Sequence, residues 1–485
     1  MQAIFHPVDP EISTMTQPAN SSHPPLKRRD FLQIGAMGAT GLALPTMLRN
    51  RALGAGSANF VNDKSVIFLF LAGGPSQYET FDPKQSAPSE IRGVTGEVQT
   101  NLTGVNYAGV FPQLAKHADK LAVIRSFKPE GSGIHEAETI RMLTGGTVEP
   151  RDNKMVGPGG SIGSLHARIR GMNHSRTGTP TYAYLQSPEI DEFYINFFLS
   201  CSQQGSASGG LGSAFAPFTP GRGGTAIDNM NPRIPAERLG DRRSLLASLD
   251  RFKRDVDQSG EMDGLEHFRQ QAFDVVNGGA VRKALDLEQE NTRVVERYDT
   301  SHLLVHAHQK SKNGASTLGK MLLTARRLCE AGCGFVTVAS GGWDMHGDGN
   351  NPGVLRGSES VARPLDHAVS AFLEDVHERG LSEKILLVIT GEFGRSPKIN
   401  NNGGRNHWGG ITPLVLAGGG LKMGQVVGQS SRDGGVPATE PIRIRDLMAT
   451  ITHTVFDVGK MRLQASLPPE ILRLTENGRP IEQLF

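Results

Sequence analysis

The chain has 485 residues, with 51 Lys and Arg against 49 Asp and Glu and a formal net charge of +2. That balance excludes a general electrostatic draw to nucleic acid, and the length suits one large α/β domain or two smaller ones. With 59 glycines and 37% hydrophobic residues, a large share of the chain is expected as loop around a compact core.

Residues 1–26 are polar with scattered Pro and Ser and are expected to be disordered. The stretch Lys27-Arg28-Arg29-Asp30-Phe31-Leu32-Gln33 pairs two arginines with a Phe-Leu, and a mildly apolar Gly/Ala-rich run follows from Ile34 to Leu48. This resembles a bacterial twin-arginine export signal, and small residues from Gly54 to Ala58 offer a cleavage site near Ala58-Asn59. The alternative is an amphipathic helix after a disordered tail. The run is too short for an ordinary transmembrane helix, and no span is expected in the mature chain. Left uncut, the signal could act as a membrane tether. The expectation is therefore a signal over residues 1–58, the twin-arginine export machinery as partner and a periplasmic or otherwise exported location.

Ser65 to Leu71 is a continuous apolar run that reads as a central parallel strand, broken sharply by Ala72-Gly73-Gly74-Pro75-Ser76. No Gly-Lys-Ser/Thr follows, so this is not a phosphate-binding P-loop. Phe111 to Lys120 reads as a helix and Leu121 to Ser126 as a strand. Gly131-Ser132-Gly133 precedes a helix from about His135 to Leu143, stopped by Thr144-Gly145-Gly146. His135 thus stands at a helix N-terminus, where free amides favour an anion.

From Glu149 to about Ser311 the pattern is irregular, and an insertion or lid is expected over about 150–311. The Gly/Ser/Pro-rich stretch from Cys201 to Pro235 reads as a surface excursion. Arg238 to Asp257, Met262 to Val276 and Ala280 to Arg297 read as charged helices. Ala315 to Glu330 is a helix leading into a buried strand, Phe335 to Ala339. Leu355 to Arg379 is a long amphipathic helix before the Lys384 to Thr390 strand. Thr412 to Leu416 is a further strand, and Ile444 to Val458 a terminal helix before a tail, Glu476 to Phe485, expected to pack as an extended segment. Strand and helix alternate in this half, which is the α/β signature.

Ligands in open α/β sheets bind beyond the carboxyl ends of the strands. Asp344 and His346 follow the Phe335 strand in Gly341-Gly342-Trp343-Asp344-Met345-His346, and His407 precedes the Thr412 strand in Arg405-Asn406-His407-Trp408. An acid and two imidazoles on short tethers suit a divalent metal, zinc first, with Ca, Mg or Mn as alternatives. The alternative is that Asp344 caps a turn and His346 packs beside Trp343. Glu392, after the Lys384 strand, is a candidate ligand or general base, and Arg395 a candidate anion clamp; the pair could instead form an internal salt bridge. Glu79 and Asp82 are weaker candidate acids on a turn. His166, His174, His306 and His308 read as surface or packing histidines. Three cysteines give no disulfide framework, and Cys329 and Cys333 read as packing.

Arg28-Arg29, Gly73-Gly74-Pro75-Ser76, Thr80-Phe81-Asp82-Pro83-Lys84, Trp343-Asp344-x-His346, Gly391-Glu392-Phe393-Gly394-Arg395 and His407-Trp408 together resemble a family of exported bacterial proteins, common in planctomycetes, known as a domain of unknown function (DUF1501). The resemblance covers essentially the whole mature chain. That family is similar to the alkaline-phosphatase-like superfamily, with its sulfatases and phosphopentomutases. It implies an α/β fold with a mostly parallel central sheet, helices on both faces and a long irregular insertion, in a single domain over residues 59–485.

In that superfamily two metals flank a nucleophile. Asp344, His346 and His407 match one metal's ligands. The other site departs: Ala72-Gly73 stands where the first acid belongs, and Glu392-Phe393 replaces an Asp-His pair. The sulfatase nucleophile position falls on His135, counting back from Leu143-Thr144-Gly145. Three readings of His135 stay open: a further metal ligand, a covalent nucleophile, or a remnant. The resemblance implies a metal-dependent hydrolase of phosphate or sulfate esters, acting on a small anionic ester or a sulfated or phosphorylated glycan. The alternative is a non-catalytic binding or assembly protein on the same fold.

Overall fold

A computed structural model describes residues 60–131, 133–152, 154–187, 200–220, 279–305, 314–464, 467, 471 and 478–485. The twin-arginine stretch, the helices expected at Arg238 to Asp257 and Met262 to Val276, and His306 and His308 lie outside the described residues.

The apolar runs become strands that shift from their expected bounds by a residue or two. Seven form the central sheet: β1 (Ser65–Leu71), β2 (Ala122–Ile124), β3 (Tyr182–Gln186), β4 (Phe335–Ser340), β5 (Ile385–Thr390), β6 (Leu414–Gly418) and β7 (Gln425–Val427), in the order β7-β2-β6-β5-β1-β4-β3. β1 runs parallel to both β4 and β5, β4 is parallel to β3, and β2 is parallel to β7. β6 alone is reversed, antiparallel to β5 and β2. Every residue of β1, β4 and β5 is buried, so both faces of the sheet are covered. The covering helices include α1 (His135–Thr144), α2 (Ile162–Arg170), α3 (Ser200–Ser206), α4 (Ala280–Leu285), α5 (Thr292–Arg297), α6 (Leu318–Glu330), α7 (Val354–Glu378) and α8 (Ile444–Val455). Among the described residues no helix is long and apolar enough to cross a membrane.

Four expectations change. The stretch from 150 to 311 is not wholly an insertion, because it supplies β3 and α2 to the core. Tyr182-Ala183-Tyr184-Leu185 is short but fully buried, and α2 buries eight of its nine residues. Cys201 lies on α3, packed against α1, rather than on a surface loop. Ala280 to Arg297 is not one helix: Asp286 and Asn291 each cap a new start by accepting an amide N–H, from Glu288 and Arg293. Phe111 to Lys120 narrows to a 3-10 segment, Leu114–Lys120, kinked at His117.

Candidate metal centre

β1, β4 and β5 run in one direction and deliver Gly73, Asp344 and Glu392 to one edge of the sheet. The reversal of β6 brings the chain before it, including His407, back to that same edge. A two-residue hairpin fixes the register there, with Arg395 opposite His407 and Gly394 opposite Trp408. His135 opens α1 beside them, and its ring lies 4.3 Å from that of His407, centroid to centroid.

Close approach of β1 and β4 depends on Gly73. Its φ is +118°, and a Cβ there would sit 2.6 Å from the Asp344 amide nitrogen. The Gly73 N–H, freed of any side chain, donates to Glu392 Oε1 at 2.8 Å.

Asp344 is the hub. Its Oδ1 accepts from Arg395 Nη2 at 2.6 Å and lies 3.0 Å from His346 Nε2 and 3.4 Å from His407 Nε2. Its Oδ2 lies 3.6 Å from His135 Nε2. Burial alone would raise this carboxyl, but the Arg395 charge and the surrounding imidazoles hold it well below the usual carboxylate range. His407 Nδ1 sits 2.7 Å from the Gly133 carbonyl, which can only accept. The proton is therefore on Nδ1, and the neutral ring turns its Nε2 lone pair toward Asp344. Burial, with the charges of His135 and Arg395, lowers the pKa of His407 and favours that neutral form.

His135, Asp344 and His407 are the one group of acid, imidazole and thiol side chains among the described residues that could hold a metal ion, with ligand atoms all within 4.8 Å. His407 Nε2 lies 3.4 Å from Oδ1 and His135 Nε2 3.6 Å from Oδ2, each near the tetrahedral edge of about 3.3 Å that bonds of about 2.0–2.1 Å to zinc imply. The donor set therefore fits a divalent ion. His346 stands beside it, its Nε2 2.8 Å from that of His407.

Two expectations are corrected. Arg395 is not an anion clamp. It is wholly buried, and its guanidinium donates to the carbonyls of Gly73, Gly74 and Arg405 as well as to Asp344, so no donor faces a substrate. Glu392 is not placed as a base toward substrate: it is wholly buried, and its Oε1 is taken by the Gly73 N–H and by His135 Nδ1, the latter at 2.7 Å, while its buried Oε2 has no hydrogen-bond partner among the described residues. The ion pair between Glu392 and Arg395 does not form, because each carboxylate at this edge takes a different cation.

Other candidates lie apart. Glu79 is buried against Arg405, and Asp82 meets Ser430, Lys84 and Arg125. His166 is buried between Phe335 and Phe456, and Cys201, Cys329 and Cys333 are free and buried. His174 is half-buried, with Thr177 against its Nδ1. Sequence reasoning missed Phe393, whose ring lies 4.9 Å from His135 and 4.6 Å from His407 and fixes both imidazole planes. It also missed the Gly133 carbonyl. An aromatic between Glu392 and Gly394 was the only visible signal.

The profile of a family described as "Protein of unknown function (DUF1501)" matches residues 63–485. No curated protein matches the chain. Among solved structures, it is similar to the phosphonate monoester hydrolase SpPMH from Silicibacter pomeroyi, at 10% identity and a TM-score of 0.38 over 86% of this chain and 76% of that one. It is also similar to the PsFucS1 sulfatase from Pseudoalteromonas sp., at 12% identity and 0.37 over 90% and 76%. A third is the lipoteichoic acid synthase LtaP from Listeria monocytogenes, at 8% and 0.37 over 84% and 78%. At such scores these likenesses carry no argument about chemistry.

Proposed function

Taking as premise that the chain belongs to the DUF1501 family, we propose that it is an exported, metal-dependent hydrolase of phosphate or sulfate esters. One divalent ion, zinc first, would be held by His135, Asp344 and His407. The observation that carries this reading is the convergence of these three side chains at the strand edge, with His407 already in the tautomer a ligand needs. Bound there, such an ion would act as a Lewis acid toward an ester oxygen or make a bound water more acidic.

The charge balance suits an anionic substrate. Asp344, paired with Arg395, and Glu392, paired with His135, carry two negative charges against one guanidinium, so a doubly charged ion beside neutral imidazoles leaves one positive charge in excess at this edge. His346, 22% exposed beside His407 at 26%, would meet the substrate or complete the ion's shell. The burial of Arg395 and Glu392 favours a second reading, a non-catalytic protein with a structural ion, because neither group is exposed to a substrate at this edge.

Elemental analysis of the processed protein, beside a His346→Ala/His407→Ala double variant, tests the site. About one ion per chain, absent from the variant, is expected. Turnover of aryl phosphate and sulfate esters should then fall on the order of 10²-fold or more in His407→Ala. A loaded protein with no turnover on any ester selects the structural reading, and no ion in the wild type rejects both.

Ion binding should also release a proton. Burial opposes charge on His135, but its contacts with Asp344 and Glu392 outweigh this and raise the pKa to about 9. In protein stripped by a chelator, His135 is then an imidazolium at neutral pH, and the ion must displace its Nε2 proton. Apparent affinity should rise with pH up to about 9 and level off above it. Calorimetry in buffers of different ionisation enthalpy should find about one proton released at neutral pH. Release of none would remove His135 from the ligand set.

Export is read from Arg28 and Arg29. Changing both to Lys should leave the protein inside the cell, as fractionation would show; unchanged export would reject the twin-arginine route.

A further inference from the structure

We infer that Glu392 is a positioning residue, which sets the tautomer and ring plane of His135 so that His135 can serve as a ligand. The inference rests on the metal reading above. A carboxylate has no proton to give here, so the 2.7 Å contact from His135 Nδ1 to Glu392 Oε1 places the ring proton on Nδ1. The opposite nitrogen, Nε2, lies on the side of Asp344 Oδ2, 3.6 Å away, and offers its lone pair there once the ion has displaced its proton. A histidine that donates one ring N–H to a carboxylate is oriented and made more basic as a ligand.

What holds Glu392 is equally specific. It is wholly buried at the end of β5, and the same Oε1 takes the Gly73 N–H at 2.8 Å. Gly73 in turn is pressed against Trp343 and the Asp344 amide, too close for any side chain. One backbone contact thus ties the carboxylate that orients His135 to the carboxylate that would bind the ion. Phe393, the next residue, lies against the rings of both His135 and His407. The resemblance set Glu392 at a second metal position; in the fold its Oε1 is taken instead by an amide and an imidazole N–H.

The test is a double-mutant cycle read by metal affinity. Wild type, Glu392→Gln, His135→Ala and the double variant are titrated with zinc against a chromophoric chelator, and with cobalt(II) for its visible spectrum. Glu392→Gln keeps the shape and an acceptor oxygen but loses the charge. It should weaken zinc about 10-fold and shift the cobalt bands, with stoichiometry and far-UV circular dichroism unchanged. In the His135→Ala background the same change should cost less than about twofold, because Glu392 acts through His135. An equal loss in both backgrounds, or wild-type affinity in Glu392→Gln, overturns the positioning role while leaving the metal site standing. A wild type that binds neither ion overturns the role and the metal reading together. Glu392→Leu, which accepts nothing, should weaken zinc further; if it does not fold, the Gln cycle decides alone.

Discussion

Asp344→Asn leaves the purified protein without its ion and about 3–5 kcal/mol less stable. Both effects follow from one buried oxygen. Asp344 Oδ1 holds Arg395 at 2.6 Å and lies 3.0 and 3.4 Å from the Nε2 atoms of His346 and His407. An amide is a poor ligand for a divalent ion, and it lacks the charge that Arg395 is paired with. Arg395 stays charged and buried with no carboxylate in reach, which is the costly way to break an ion pair. Metal analysis and urea unfolding of the variant check the two effects separately. Full metal content with stability within about 1 kcal/mol of wild type would show that Asp344 is neither hub nor ligand.

The two effects need not scale together. His346→Ala removes an imidazole at the mouth while Arg395 keeps Asp344, so metal retention should suffer far more than stability. That separation of ion binding from fold integrity follows because Asp344 Oδ1 keeps its Arg395 contact when its His346 contact is lost.

The strands were legible because strands buried on both faces must be continuous apolar runs, as Ser65 to Leu71 and Ile385 to Thr390 are. Strand direction leaves no such mark. Nothing in Leu414 to Gly418 distinguishes a reversed strand from a parallel one, yet the reversal is what returns His407 to the edge shared by Asp344 and Glu392. Asp344, His346 and His407 were legible from their positions at strand ends. His135 was not: locally it is a helix-start residue, and only the resemblance singled it out. Its partner Glu392, 257 positions away, is a matter of tertiary contact alone. Arg395 was misread for a related reason. Sequence shows a strand-end arginine, but whether its donors face solvent or backbone carbonyls is decided by the loops folded over it. The capped breaks at Asp286 and Asn291 did carry a local signal, since both residue types favour helix starts, but the charge pattern across them masked it.

Arg395→Lys should cost about 3–5 kcal/mol of stability, close to what Asp344→Asn costs, although it preserves the charge. A guanidinium places its donors in a fixed plane. Here Nε reaches the Gly74 carbonyl at 2.7 Å, Nη1 the Arg405 carbonyl at 3.0 Å, and Nη2 the Gly73 carbonyl and Asp344, with the Trp343 carbonyl 3.4 Å away. These acceptors come from the loops after β1 and β4 and from the loop that leads into His407, so one side chain pins three converging segments. An ammonium has three donors radiating from one point and cannot span that set; at least one buried carbonyl is left without a partner, at about 1–3 kcal/mol each. The remainder comes from Asp344, whose counter-charge moves off its oxygen. If Arg395 instead gripped substrate, the Lys variant would unfold at the wild-type urea concentration and raise KM for an anionic ester with little change in stability. A stability loss in the absence of any substrate separates the two, and it should appear as an earlier midpoint with an unchanged slope, since the fold that unfolds is the same size.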